Sequence, residues 1–346
     1  MTKAKGYAAV FSGIFMFIFL IIFTGEFRRG FSEGLKSCAE IVVPSLFPFL
    51  IAASLSGSGE LPPKISCIVS PITKFFFGLP SESIFAVILG QLGGYLSGAK
   101  SAQSLCSSGK ISHGQAEKLM LFCINPGMGF AVNALGSFML SSRNAGKIIF
   151  ASICISSFIC GIIAKFLPCA AAKKSKENNN APPFSAAVVN SVSSGTFSLL
   201  TACAFVCLFS GVVSVIEAHV SDEKIRLAGI CLLEITNGCI YASKELSLPV
   251  LSAICAFGGI CVHLQIFAVA DNFGIRPALF YLFRILHSVL AFFICGFIIR
   301  LFPSEIQTMV NITPEAQLWS FSAPASISML FLSALLILDL DNKQKI

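Results

Sequence analysis

Four ionizable side chains lie within or at the end of apolar runs of this sequence. Glu234 and Arg284 interrupt such runs, and Lys100 and Lys244 each end an apolar segment that contains glycine. Charged groups are costly in the hydrocarbon region of a bilayer, and they are retained there mainly where they pair with each other or bind a polar solute or ion. The chemistry indicated is therefore recognition of a charged or polar solute.

Each of these residues also has a structural interpretation. Glu234 could form an ion pair with Lys244 or Arg284, and the lysines could extend to the membrane interface. Arg284 shares a helical face with Tyr281 and His287, at i−3 and i+3. It could compensate the charge of a substrate or pair with Glu234, and the sequence leaves both readings open.

Glycine, proline and polar residues break four apolar runs, where the backbone amides that are freed must face protein or a water-filled cavity. The alternative is that these residues only allow kinks or close helix packing. Exposed starts of half-helices would present N–H groups to anions. The runs are 84–99 with Gly90, Gly93, Gly94 and Gly98, 119–140 with Asn125-Pro126-Gly127-Met128-Gly129, 225–241 with Glu234, Asn237 and Gly238, and 250–270 with Gly258-Gly259, His263 and Gln265.

Together these observations predict a substrate-binding site near the middle of the membrane, where paired broken helices of transporters form their sites. The candidate residues are Gln91, Gly93, Gly94, Ser97, Lys100, Asn125, Gly127, Glu234, Asn237, Lys244, Gly259, His263, Gln265 and Arg284.

Catalysis, metal binding and cofactor binding are not indicated. The segment Gly93–Ser101 nearly spells a phosphate-binding loop, but Ala99 separates Gly98 from Lys100 and no soluble strand precedes it. The 14 cysteines lie mainly in apolar runs without a Cys-x-x-Cys pair, where cysteine acts as a small hydrophobic residue. We therefore expect no enzyme activity, no metal and no cofactor.

Composition indicates that lipid is the solvent for most of the chain. Of 346 residues, 55% are hydrophobic and 12% are charged, whereas roughly a quarter are charged in an average soluble domain. The mean hydropathy is +0.84. The basic residues cluster in short polar breaks, which is typical of membrane-flanking segments and argues against a nucleic-acid partner.

The predicted fold class is an all-α polytopic membrane protein. Apolar runs of about 20 residues predict spans at Tyr7–Phe23, Leu35–Leu55, Ile148–Leu167, Phe197–Ile216, Pro277–Phe302 and Trp319–Leu338. The first could be a signal peptide, but no small-residue cleavage site follows, and a retained helix with a cytoplasmic N-terminus is predicted. The predicted divisions are 1–29 N-terminal transmembrane helix, 30–168 first membrane repeat, 169–183 polar linker, 184–303 second membrane repeat, and 304–346 interfacial segment and C-terminal transmembrane helix.

Two matched peptides predict that the halves are homologous repeats. Ile88–Lys100 aligns without gaps with Leu232–Lys244, and Cys160–Pro168 aligns with Cys295–Pro303 in the same order. Secondary transporters are often built from two such repeats with broken helices in matching positions. The repeats would be inverted if each crosses the membrane an odd number of times.

Several stretches resemble the sporulation integral membrane protein YlbJ family, within the group that carries the nucleoside-recognition Gate domain. The similar stretches are Val43–Phe49, Gly93–Lys100, Leu233–Gly238 and Phe257–Gln265, within a resemblance that runs from about Gly30 to Pro303. The chain departs from the family pattern at Leu96 and at Asn125–Gly129. The resemblance implies a Gate-like protein in the outer forespore membrane of a spore-forming bacterium that moves dipicolinic acid toward the forespore. A coupling ion and other sporulation membrane proteins are partners that it would allow.

Three functions remain open at this point. Lys100, Lys244, Arg284 or His263 could compensate the two carboxylates of dipicolinate, and a net-positive cavity would favour that solute. A neutral cavity lined by amides would favour a nucleoside. The amide and carboxylate groups available for a nucleoside are Gln91, Asn125, Glu234, Asn237 and Gln265. The third function is a membrane scaffold for spore maturation that transports nothing.

Overall fold

The computed structural model describes residues 3–168, 183–270 and 274–302, and within these ranges the chain is helical and contains no strand. Most of the predicted linker 169–183 and the predicted segment 304–346 with its C-terminal helix lie outside the described residues. The helices are α1 Lys3–Ile22, α2 Thr24–Ser37, α3 Val43–Leu55, α4 Pro63–Phe77, α5 Ile84–Leu92, α6 Tyr95–Ser107, α7 His113–Phe122, α8 Arg143–Lys165, α9 Phe184–His219, α10 Glu223–Leu233, α11 Ile235–Glu245, α12 Leu248–Phe257, α13 Gly259–Ala270 and α14 Pro277–Leu301. Two π-helical segments, Cys38–Val42 and Gly129–Met139, and the 3₁₀ turn Ser81–Ser83 complete the order.

Five helical stretches of the described chain are long and apolar enough to cross a bilayer, which confirms the all-α polytopic membrane class. A sixth stretch, α4 followed by Ser81–Leu92, is bent by 82°. The five stretches are Thr24–Leu55, Arg143–Lys165, Phe184–His219, Leu248–Ala270 and Pro277–Leu301.

The first of these stretches is longer than the sequence predicted. Thr24–Leu55 continues through Pro44 as one span of 32 residues, whereas the predicted span began at Leu35. The wider π-helical turn Cys38–Val42 precedes Pro44 and accommodates the backbone hydrogen bond that proline cannot make. The predicted boundary after residue 29 therefore falls inside a continuous helix, and the apolar part of α1 is only Val10–Ile22.

Two pairs of helices turn back on themselves as hairpins. A Cβ atom built on Gly98 would lie 2.8 Å from the Cα of Gly90, although eight residues of a continuous helix would span about 12 Å. In the second pair, a Cβ on Gly238 would lie 2.8 Å from the Cα of Cys231. We call α5–α6 the first hairpin, with its tip at Gly93–Gly94, and α10–α11 the second hairpin, with its tip at Glu234.

The arms of both hairpins are too short to cross a membrane. They contain 9 and 13 residues in the first hairpin and 11 and 11 in the second. At 1.5 Å per residue they extend about 13–20 Å, against a hydrocarbon thickness of about 30 Å. Arms of this length suit re-entrant hairpins, whose tips would lie near the middle of a bilayer.

A broken helix follows each hairpin. In the first half, α7 ends at Phe122 and helical structure resumes at Gly129. In the second half, Gly258 and Gly259 separate α12 from α13 with φ values of 92° and 75°, a region that side chains rarely adopt. All four breaks predicted from glycine, proline and polar residues are thus confirmed as interruptions of helical structure.

The first spans of the two halves pack closely and in opposite directions. The carboxylate oxygen Oε1 of Glu26, near the start of α2, lies 3.8 Å from the Nε2 atom of His219, the last residue of α9. Farther along, a Cβ atom on Gly34 would lie 2.9 Å from the Cα of Cys207, so only glycine allows this approach. The Thr24–Leu55 span and α9 are therefore antiparallel.

The bases of the two hairpins lie at opposite ends of this antiparallel pair. Lys110, just beyond the first hairpin, donates to the carbonyl of Ser56, which follows α3, at 3.5 Å. Arg226, at the start of the second hairpin, donates to the carbonyl of Val220, which follows α9, at 3.4 Å. The hairpins therefore begin at opposite ends of this pair, as inverted repeats would, whereas the inversion and the common origin of the two halves stay predictions.

Candidate functional site

In each half, the tip of the hairpin packs against the break of the following helix. A Cβ atom on Gly94 would lie 3.5 Å from the backbone nitrogen of Gly127. A Cβ atom on Gly259 would lie 3.3 Å from the carbonyl oxygen of Leu233 and 3.4 Å from the nitrogen of Ile235. Glycine at these positions lets two interrupted backbones meet inside the membrane.

A cavity lies between the two hairpin tips and the first helix break. Its volume is about 90 Å³, enough for a few water molecules or part of a small solute, within roughly 700 Å³ of space between atoms that includes the open solvent at its mouth. Among the described residues that line it, Glu234 alone carries a charge. Its walls comprise Ile41, Val42, Ser45, Leu46, Gly93, Gly94, Tyr95, Leu96, Gly127, Gly129, Phe130, Ala202, Val206, Glu234, Ile235, Thr236, Val262 and Gln265. We call it the central cavity.

Glu234 is buried at the tip of the second hairpin, with 1% of its surface exposed. Its carboxylate accepts hydrogen bonds from the backbone N–H groups of Thr236 at 3.0 Å and Asn237 at 2.7 Å. It thereby caps the start of α11, where a negative group is favoured. The alternative that Glu234 forms an ion pair with Lys244 or Arg284 does not hold, because no such pair occurs among the described residues.

The tip of the first hairpin has no equivalent side chain. Gly94 precedes α6 with φ of 104°, and no side chain caps the first turn of that helix. Gly93, Gly94, Tyr95 and Leu96 all line the central cavity. Because the first N–H groups of a helix have no partner within it, the start of α6 can offer donors to a solute.

Lys100 lies in a second cavity that adjoins the first, and only 9% of its surface is exposed. Its ammonium donates to the side-chain oxygen of Gln103 at 2.8 Å. None of the carboxylates in the described chain pairs with it. The second cavity, which we call the Lys100 cavity, encloses roughly 390 Å³ including solvent and is lined by Leu96, Lys100, Gln103, Phe197, Ser198, Thr201, Ala202, Gln265, Ala268 and Val269.

Lys244 does not belong to this site, because it is exposed at the end of α11. The ungapped alignment had paired it with Lys100 and Glu234 with Gly90. The hairpins instead turn at Gly93–Gly94 and at Glu234, so that alignment is out of register at the tips. Lys100 lies six residues after Gly94, whereas Lys244 lies ten residues after Glu234.

Arg284 is fully buried but lies outside both cavities. Its guanidinium donates to the carbonyl of Ile124 at 2.5 Å and to that of Leu121 at 2.7 Å. These carbonyls lie at the end of α7, where the helix breaks. Arg284, on α14, therefore completes the broken helix of the other half instead of facing the cavity, and it does not pair with Glu234.

Asn125 and Gln91 belong to a buried network beside the first break. The amide nitrogen of Asn125 lies 3.1 Å from both the Phe122 carbonyl and the Ser157 hydroxyl, and 3.2 Å from the side-chain oxygen of Gln91. Gln91 in turn donates to Ser157 at 2.7 Å. The network holds the first hairpin and α7 against α8, and neither amide lines a cavity.

Four other predicted residues support the backbone. His263 bonds to the carbonyl of Phe257 at 2.8 Å, and Asn237 donates to the hydroxyl of Ser210 at 3.0 Å. Ser97 donates to Gly93 at 2.9 Å, and Gly259 packs on the second tip. The predicted residues that the structure brings together around the central cavity are Gly93, Gly94, Gly127, Glu234 and Gln265, with Lys100 next to them.

Several lining residues escaped prediction, and Tyr95 is the most informative. Its ring lies 3.2 Å from a Cβ built on Gly258, and its hydroxyl donates to the carbonyl of Cys255 at 2.7 Å. Tyr95 therefore links the first hairpin to the second break. Because Tyr95 directly follows the Gly93–Gly94 break, the sequence could have indicated that it lines the cavity. Nothing in the sequence around Ser45, Phe130 or Thr236 indicated this.

The fold and the site define an α-helical integral membrane protein in which two re-entrant hairpins and two broken helices surround one cavity. Over 111 residues the chain is 31% identical to the sporulation integral membrane protein YlbJ of Bacillus subtilis (strain 168). The alignment covers 32% of this chain and 27% of that protein. No family model and no solved structure matches the chain.

Proposed function

We propose that this protein is a secondary transporter that moves a small organic solute across a membrane of a spore-forming bacterium without covalent chemistry. The observation that carries the proposal is that two hairpin tips and the first helix break line one cavity, while the second break packs against the second tip. Transporters place substrate and ion sites at such discontinuities, and alternating access then moves the surrounding bundles about the site.

Dipicolinate is the solute that we propose first. The similarity to a sporulation membrane protein supports a role in sporulation, with the outer forespore membrane as the proposed location. Lys100 supports an anionic solute, because its buried ammonium has no carboxylate partner in the described chain. A coupling ion would accompany the solute.

A nucleoside is the second candidate, favoured by the chemistry of the central cavity itself. Glu234 supplies the charge there, and Gln265, Thr236 and Ser45 add neutral polar groups. Such groups suit the hydroxyls and amides of a nucleoside, whereas an acidic wall repels a dianion.

Uptake into liposomes that contain the purified chain tests these proposals. We expect saturable uptake of labelled dipicolinate, with uridine as the parallel solute, and a reduction of roughly tenfold or more in Gln265→Leu because a polar contact in the cavity is lost. Lys244→Met is the matched control and should transport normally.

Saturable uptake of uridine alone would transfer the assignment to nucleosides. A correctly folded protein that takes up neither solute would contradict transport of both and favour a scaffold.

A further inference from the structure

The ammonium of Lys100 lines a cavity and has no negatively charged partner in the described chain. A cation removed from water is retained only when it is paired or strongly hydrogen-bonded. The neutral oxygen of Gln103 is its one hydrogen-bond acceptor here, and that amide is itself fixed by a bond to the carbonyl of Val269 at 2.9 Å. Lys100 also does not extend to the surface, since only 9% of it is exposed.

The Lys100 cavity and the central cavity share a wall. Leu96, Ala202 and Gln265 line both, so a molecule of modest size can contact both spaces. The two charged groups along this path have opposite sign, Lys100 in one space and Glu234 in the other. Gln265 lies at the junction, with 6% of its surface exposed and its nitrogen bonded only to the sulfur of Cys261 at 3.3 Å.

We propose, resting on the transport function above, that the solute binds across this junction with one carboxylate at Lys100 and a hydrogen-bond donor toward Glu234. The preferred solute is then a monocarboxylate that carries an amide, hydroxyl or amine at its far end. A dicarboxylate would bind with its second carboxyl group protonated, because two carboxylates facing each other repel.

An anionic lipid headgroup could also provide a negative group, since the exposed Phe197 lines the Lys100 cavity. The test therefore uses the purified full chain in nanodiscs made only of phosphatidylcholine, which carries no net charge, so that no anionic lipid competes with the added ligand. The ligands are dipicolinate and its monoamide, 6-carbamoylpyridine-2-carboxylate, and their binding is measured by calorimetry at neutral pH.

We expect the monoamide to bind more tightly than dipicolinate. Lys100→Met should weaken binding of the monoamide by roughly 10- to 100-fold, as expected for loss of a hydrogen bond to a charged group. Lys100→Arg should retain part of the wild-type affinity. Glu234→Gln should shift the preference toward dipicolinate. Lys244→Met, which removes an exposed ammonium, should change neither affinity, and thermal unfolding of each variant would verify its fold.

Unchanged monoamide binding in a folded Lys100→Met variant would overturn the inference, as would an unchanged preference in Glu234→Gln. Absence of binding of both ligands by the wild-type chain would equally contradict it. If ligand affinity changes in the Lys100 and Glu234 variants as expected but liposomes take up neither ligand, the proposed transport function alone is refuted. If uptake is the same in Lys100→Met as in the wild-type chain, the contact with Lys100 alone is refuted.

Discussion

Two fully buried charged residues complete helix ends within the protein. Glu234 accepts from the N–H groups that begin α11, and Arg284 donates to the carbonyls that end α7. Both placements follow the helix dipole, which favours anions at the start of a helix and cations at its end. Their burial was predictable from sequence, but their partners were not. Residue types can locate a break, but they do not show which distant side chain bonds to its backbone groups.

Arg284→Met should destabilize the protein, since the carbonyls of Leu121 and Ile124 would lose their charged donor. We expect a loss of about 3 kcal/mol, the order found when one partner of a buried charged interaction is removed. Equilibrium unfolding in mixed micelles measures this loss in the free energy of unfolding. Arg300→Met, an exposed arginine on the same helix, is the control, and equal stability of the two variants would refute this role of Arg284.

The hairpins depend on small residues at their contact surfaces. Gly90 and Gly98 face each other in the first hairpin, and both also approach the carbonyl of Cys123 at the first break. The three backbones therefore meet at one point, and no side chain fits between them.

Gly98→Ala should separate the arms of the first hairpin because its methyl group would meet the Cys123 carbonyl. We expect a loss of about 1–3 kcal/mol from overpacking and reduced solute uptake. Gly229→Ala, in an arm of the second hairpin with no atom near its added Cβ, should stabilize α10 by up to about 1 kcal/mol. Equal melting temperatures of these two variants would contradict the packing.

The positions of the breaks could be predicted from the sequence, but the direction of the backbone after each break could not. Gly93–Gly94, Asn125–Gly127 and Gly258–Gly259 were predicted because glycine and proline interrupt helices for local reasons. The same residues do not distinguish a kink from a complete reversal, which depends on packing against distant helices. Lys100 and Lys244 were therefore treated as equivalent, although one is buried and the other exposed.

At the scale of the whole molecule, the halves support each other through their spans and breaks. Arg284 of the second half holds α7 of the first, and Tyr95 of the first hairpin holds the end of α12. His287 of α14 bonds to the carbonyl of Ile153 in α8 at 3.1 Å. These contacts cross between the halves, so we expect neither half to fold independently.

The opposed hairpins predict a specific membrane topology. A protease site inserted after Gly109, at the base of the first hairpin, should be cleaved from one face of sealed vesicles. A site inserted after Ser221, at the base of the second hairpin, should be cleaved from the other face, because the bases lie at opposite ends of the antiparallel spans. Cleavage of both from the same face would disprove the arrangement.

The carboxylate of Glu234 occupies a place that a solute group could otherwise take, at the positive start of α11. The second hairpin therefore supplies its own carboxylate to the start of α11 and needs no solute to satisfy these N–H groups. The start of α6 has no such side chain, so the N–H groups of its first turn that lack a partner are available to water or to the solute. In the proposed transporter, the first tip alone would therefore exchange its hydrogen-bond partner when a solute enters or leaves the cavity.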